Sequence, residues 1–131
     1  MVEIINPPGW ARPKGYSNAV VAPPGRTVFL AGLVGWNERE QFEALDFVGQ
    51  ARQIFSNIVA VLNAAKAGPE HLVRMTWYIT DKDEYLNCAD ELGDAYRRII
   101  GRHFPAMAVV VVAGLIEPGA KLEIEATAVV P

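Results

Sequence analysis

Residues 42–80 read FEALDFVGQARQIFSNIVAVLNAAKAGPEHLVRMTWYIT, and the spacing of apolar side chains changes part-way through this stretch. Leu45, Val48, Ala51, Phe55, Ile58, Leu62 and Ala65 recur every three or four positions, which predicts a helix from Phe42 to Lys66 with one buried face. Gly68-Pro69 is the expected stop, because glycine followed by proline cannot carry the helix further. From Leu72 to Thr80 the period falls to two. Val73, Met75, Trp77 and Ile79 alternate with Arg74, Thr76, Tyr78 and Thr80, as in a strand with one face on a core.

Working outward, Asp83 to Gly101 repeats the helical spacing through Tyr85, Leu86, Ala89, Leu92, Ala95, Tyr96 and Ile99, with Asp81 and Asp83 available as caps. Met107 to Ala113 is an almost unbroken apolar run, as in a strand covered on both faces. Lys121 to Val130 alternates again. Upstream, Val2 to Ile5 reads as a short strand. Asn18–Ala22 and Thr27–Ala31, joined by Pro23-Pro24-Gly25-Arg26, read as a hairpin. The expected order is β-β-β-α-β-α-β-β: an α+β fold with a six-stranded mixed sheet and two helices on one face. The strand from Met107 to Ala113 would leave apolar side chains on the uncovered face, which predicts a homo-oligomer.

The 131 residues, 51% of them hydrophobic, suit one domain spanning 1–131. The longest wholly apolar run, Ala106–Ala113, is far short of the roughly 20 residues needed to cross a bilayer. No membrane partner is expected, and residues 1–8 lack the order of a secretory signal, so a cytoplasmic location is. A net charge of −3 with no dense basic run argues against nucleic acid. Arg97, Arg98 and Arg102 are expected to form a solvated face near the end of the second helix. Cys88, the one cysteine, is expected to be a small helix residue. His71 and His103 share no metal-ligand spacing with it or with a carboxylate, and there is no glycine-rich phosphate loop, so neither metal nor cofactor is expected.

An ordered set of short motifs is more specific. It runs Gly15-Tyr16-Ser17-Asn18-Ala19-Val20, Val28-Phe29-Leu30-Ala31-Gly32, Gln50-Ala51-Arg52-Gln53 leading to Asn57, Pro105-Ala106-Met107 and Glu123-Ile124-Glu125-Ala126. The chain resembles the YjgF/RidA family, also called the L-PSP endoribonuclease family, from Pro13 to Val130. The resemblance implies a chorismate-mutase-like fold, a homotrimer, and a small-molecule ligand bound in clefts between subunits. Active members hydrolyse enamines and imines such as 2-aminoacrylate to 2-keto acids and ammonia.

The same resemblance places Tyr16, Ala31, Gly32 and Met107 at the cleft and makes Glu123 the candidate general base. Active members carry arginine after Pro-Ala, where a guanidinium can clamp a carboxylate through two parallel hydrogen bonds. This chain has Met107. Many members carry serine or threonine where this one has Ala31. Both departures move the cleft toward apolar chemistry, so the expectation is a deaminase of an enamine or imine other than the standard 2-imino acids, for example one like 2-aminomuconate. A non-catalytic metabolite-binding or sensor module is the alternative, and ribonuclease activity ranks last. Arg12, just before Tyr16, could supply the missing charge, and Trp10 and Trp36 could wall a planar ligand.

Overall fold

The computed structural model describes all 131 residues. Strand β1 (Glu3–Ile5) pairs antiparallel with β2 (Ala19–Val21), and β3 (Arg26–Val34), β4 (Leu72–Ile79), β5 (Ala106–Val111) and β6 (Leu122–Val130) form a separate sheet in the order β3-β6-β4-β5. Helix α1 (Phe47–Ala64) lies between β3 and β4, while α2 (Lys82–Asn87) and α3 (Ala89–Ile99) make the crossover between the parallel strands β4 and β5. The fold is α+β, as expected.

Several details differ from the sequence expectation, each for a local reason. The six strands divide into two sheets, because the predicted hairpin between Asn18–Ala22 and Thr27–Ala31 does not form. Pro23 and Pro24 offer no N–H to a ladder. Beyond them Gly25 packs so closely on β6 that a Cβ there would stand 2.2 Å from the Val130 carbonyl oxygen. The chain therefore enters β3 against β6, and β2 is left with β1, where Asn18 N–H donates to Asn6 Oδ1 at 2.9 Å.

The second helix is broken at Cys88, whose backbone (φ −116°, ψ 22°) ends α2 and starts α3. Asparagine and cysteine, at 87 and 88, are weak helix formers, so a bend there costs little. Helix α1 starts later than predicted, since Asp46 caps it by accepting from Gly49 N–H at 3.0 Å. Asp46→Ala should therefore cost about 1 kcal/mol, measurable as a lower urea midpoint with unchanged slope. The same helix stops before Gly68: Lys66 takes the left-handed turn (φ 59°), and Ala67 N–H closes on the Leu62 carbonyl at 2.8 Å.

The core lies between one face of the four-stranded sheet and the helices. Ala51, Ile54, Phe55, Ile58 and Leu62 of α1 meet Met75, Trp77 and Ile79 of β4 and Leu122, Ile124, Ala126 and Ala128 of β6. A register shift between Leu72 and Arg74 turns Leu72 inward in place of Val73. Strand β5 is the sheet's edge and, within one chain, is not covered on both faces: Val110 and Val111 are 41% and 55% exposed. Phe29 on β3 is 79% exposed. No helix is long and apolar enough to cross a membrane.

Candidate functional site

Pro105, fully buried, ends the loop after α3, and Ala106 opens β5. The preceding loop is tied to this point. Ser17 N–H donates to the Pro105 carbonyl at 3.1 Å, its hydroxyl donates to the Phe104 carbonyl, and Ser17 bridges Ala106 in parallel register. Gly15 makes the turn that allows this with φ +79°, a region that side-chain-bearing residues rarely adopt. Tyr16 is thereby held beside the start of β5.

Met107 pairs in register with Met75 and faces the helix side of the sheet. There, together with Tyr16, it lines a cavity of about 610 Å³ between β4, β5, α2 and α3. Aromatic rings make one wall: Tyr96 stacks on Phe104 with centroids 5.5 Å apart and Trp77 meets Tyr85 edge-on at 6.2 Å, while Phe55, in the core behind, meets Tyr96 edge-on at 5.4 Å. Trp77 Nε1 is buried and has no hydrogen-bond partner. Burial raises the Tyr85 and Tyr96 hydroxyls above the ordinary tyrosine range, so both stay protonated at neutral pH, and Tyr96 donates to the His103 carbonyl at 2.7 Å. Lys14, Asp90 and Arg97 supply the cavity's charges. Arg97, Arg98 and Arg102 are all exposed, as expected of a solvated face; Arg98 pairs with Asp94 at 3.0 Å, and Arg97 also borders the cavity.

A second cavity, of about 500 Å³, adjoins the first and shares Lys14, Gly15, Tyr16 and Phe104 with it. Arg12 and Arg102 line it. Trp10 and Trp36 line neither cavity.

The remaining predicted residues lie elsewhere on the chain. Glu123 pairs with Tyr78, which faces away from the core-facing Trp77 and Ile79, so within one chain Glu123 and Met107 are on opposite faces of the sheet. Gly32 sits directly under Glu123: a Cβ at 32 would be 2.2 Å from Glu123 Oε2. Ala31 is exposed beside it, at the irregularity between Leu30 and Leu33. The structure thus brings together Tyr16 and Met107, with Arg12 next door, and separately Ala31, Gly32 and Glu123.

The two glutamates of β6 differ physically. The Tyr78 hydroxyl donates to Glu125, which raises the tyrosine's pKa, while Glu123 has neither a hydrogen-bond nor an ion-pair partner. Cys88 is half-buried, and desolvation, reinforced by Glu91 and Glu84, pushes its thiol up, the opposite of what a nucleophile needs.

A model of the family described as Endoribonuclease L-PSP matches residues 10–130. The chain belongs to that family. Among its L-PSP relatives, Protein DfrA of Myxococcus xanthus is 36% identical over 121 residues, covering 87% of this chain and 84% of that protein. The 2-iminobutanoate/2-iminopropanoate deaminase of Capra hircus is 32% identical over 115 residues, covering 87% and 79%. Among solved structures, the Rid-family protein YyfB of Yersinia pestis superposes with a TM-score of 0.86 at 29% identity, covering 98% of each chain. L-PSP family membership and the Rid fold agree with the motif set from Tyr16 to Glu125.

Proposed function

We propose that this protein is a hydrolytic deaminase of an enamine or imine other than the standard 2-imino acids, working at clefts between the subunits of a homotrimer. The observation that carries this reading is Met107 on the wall of an aromatic cavity, at the position where the family resemblance calls for a carboxylate-binding arginine. Relatives named 2-iminobutanoate/2-iminopropanoate deaminase support the reaction class. An extended unsaturated substrate like 2-aminomuconate suits this wall better than a three- or four-carbon imino acid, because its body can lie on apolar rings.

In this reaction water adds across the C=N bond, its oxygen to carbon and a proton to nitrogen, and the resulting carbinolamine expels ammonia to leave a carbonyl. Glu123 takes the proton from the attacking water. Since Glu123 and Met107 lie on opposite faces of one chain, the proposed site pairs the Glu123 face of one subunit with the Met107 cavity of the next. The exposed Phe29 and Val110 beside Glu123's face are apolar surface that such a contact would bury. The same separation favours, as the second reading, a binding module that has kept the cavity without the chemistry. Ribonuclease activity has the least support, since the chain carries a net charge of −3 and no dense basic run along its sequence.

Ammonia release from 2-aminoacrylate generated in situ tests the proposal. The wild-type protein should barely exceed the spontaneous rate there but should accelerate hydrolysis of a longer dienyl enamine. Met107→Arg should raise the 2-aminoacrylate rate about 30- to 100-fold, the lower part of what a buried carboxylate clamp is worth. A wild-type rate on 2-aminoacrylate equal to that of an arginine-bearing relative would refute the assigned selectivity. Light scattering should give three times 14.3 kDa, and a monomer at micromolar concentration would remove the shared cleft.

A further inference from the structure

Four cations and one acid surround the two adjoining cavities: Lys14, Arg97 and Asp90 at the apolar one, Arg12, Lys14 and Arg102 at the other. No Asp or Glu lines the second cavity, and Arg12, Lys14 and Arg102 make no ion pair or side-chain hydrogen bond within the chain. An acidic chain has thus gathered unpaired positive charge in one concavity. Ordinary surface arginines and lysines are interspersed with carboxylates, and isolated ones are merely solvated. Several like charges in a concavity focus their field on its interior and raise the local concentration of anions.

The two walls of this cavity are held in place. Lys14 lies on the loop pinned to β5 through Ser17. Arg102 lies on the opposite side, in a segment fixed twice: Tyr96 O–H donates to the His103 carbonyl, and His103 Nε2, facing the Leu72 carbonyl at 2.7 Å, must donate to it because a carbonyl only accepts. Lys14 and Tyr16 belong to both cavities, so a ligand lying on the aromatic wall can pass its end between them into the cationic one.

We propose that Arg12, Lys14 and Arg102 form a carboxylate anchor that replaces the guanidinium absent at position 107, so that the ligand is an unsaturated acid with its apolar body against Met107 and Phe104 and its carboxylate in the cationic cavity. This rests on the cavity being the ligand site named above. It shifts the anionic group away from the strand and toward the loop before Tyr16, and it favours long acids over short ones, since two of the three anchoring cations, Arg12 and Arg102, line only the cavity beyond the apolar wall.

Calorimetric titration with cis,cis-muconate, which carries no imine to hydrolyse, reads binding apart from catalysis. Muconate should bind more tightly than the monocarboxylate sorbate, the uncharged 2,4-hexadienol should bind weakest, and added NaCl should weaken muconate but not the alcohol. The triple variant Arg12→Gln, Lys14→Gln, Arg102→Gln should weaken muconate at least tenfold, with roughly two- to fivefold from each exposed cation. Hexadienol affinity and thermal unfolding should be unchanged, and Arg39→Gln, which removes a cation outside both cavities, should have no effect on muconate. Charge-dependent muconate binding without hydrolysis of any imine would uphold the anchor and refute the deaminase reading. No muconate binding, or binding indifferent to the triple substitution, would overturn the anchor whatever the hydrolysis assays give.

Discussion

Gln50→Ala is expected to lower stability by about 4 kcal/mol, a large part of the roughly 5 to 15 kcal/mol that holds a domain of this size together. Gln50 is fully buried on α1. Its Nε2 donates to the Ala44 carbonyl at 3.2 Å and the Gly119 carbonyl at 3.0 Å, and its Oε1 accepts from Lys121 N–H at 2.9 Å. Truncation leaves these groups facing a void, and each buried group stripped of its partner costs about 1 to 3 kcal/mol. The gap adds a cavity cost, only partly recovered by collapse. Gly35 cannot close in to fill it with a side chain of its own, because a Cβ there would meet Gln50 Cβ and carbonyl oxygen at 2.7 Å each.

The midpoint of thermal unfolding should fall by about 10 to 15 °C. Gln50→Leu separates the causes: it fills most of the volume but satisfies none of the three backbone groups, so it should remain at least 2 kcal/mol below wild type. Stability of the leucine variant within 1 kcal/mol of wild type would show that packing, and not the polar link, makes this position matter. The link bears on the site as well, because it fixes the turn that leads through Lys121 into β6 and so to Glu123.

Gln50 also shows where reading the sequence stops. The three-to-four residue period located Val48, Ala51, Phe55, Ile58 and Leu62 on the buried face of α1, and all five are buried. A pattern built on apolar residues has no way to place a glutamine at the centre, since the reason lies in carbonyls at 44 and 119 that only the tertiary fold brings near. It likewise included Leu45, which is 77% exposed because Asp46 begins the helix after it. Strand existence was legible from alternation, but the partner of β2 was not, because pairing is decided by long-range contacts and the prolines at 23 and 24 act by withholding donors. For the site, the motif set named Tyr16 and Met107, which line one cavity. The aromatic wall of Trp77, Tyr96 and Phe104 and the cations Lys14 and Arg102 come from segments far apart in sequence, each ordinary by itself. The division of Tyr16 and Met107 from Ala31, Gly32 and Glu123 follows from strand parity across three strands, which a motif list does not contain.

Glu123→Gln should reduce the hydrolysis rate by about 10² to 10⁴, the range for losing a positioned general base. The substitution is nearly isosteric, so it keeps the contact over Gly32 and changes only the ability to take a proton. Glu125 lies two residues along the same strand, but its carboxylate is engaged by the Tyr78 hydroxyl. Glu125→Gln should therefore change the rate less than about threefold, as an exposed hydrogen bond suggests. Loss on Glu123→Gln should appear in kcat with KM little altered, since water activation belongs to the transition state and not to ligand binding. An unchanged kcat would remove Glu123 from the mechanism. Its placement opposite Met107 gives a sharper test. Met107→Trp should fill the cavity and abolish activity, and so provides a second inactive protein with an intact glutamate. If every cleft takes Glu123 from one subunit and the cavity from its neighbour, refolding equal amounts of the two inactive variants together restores about a quarter of the clefts, because random mixing joins one intact face to one intact cavity at that frequency. If both halves of the site came from the same chain, no mixture of the two could recover activity.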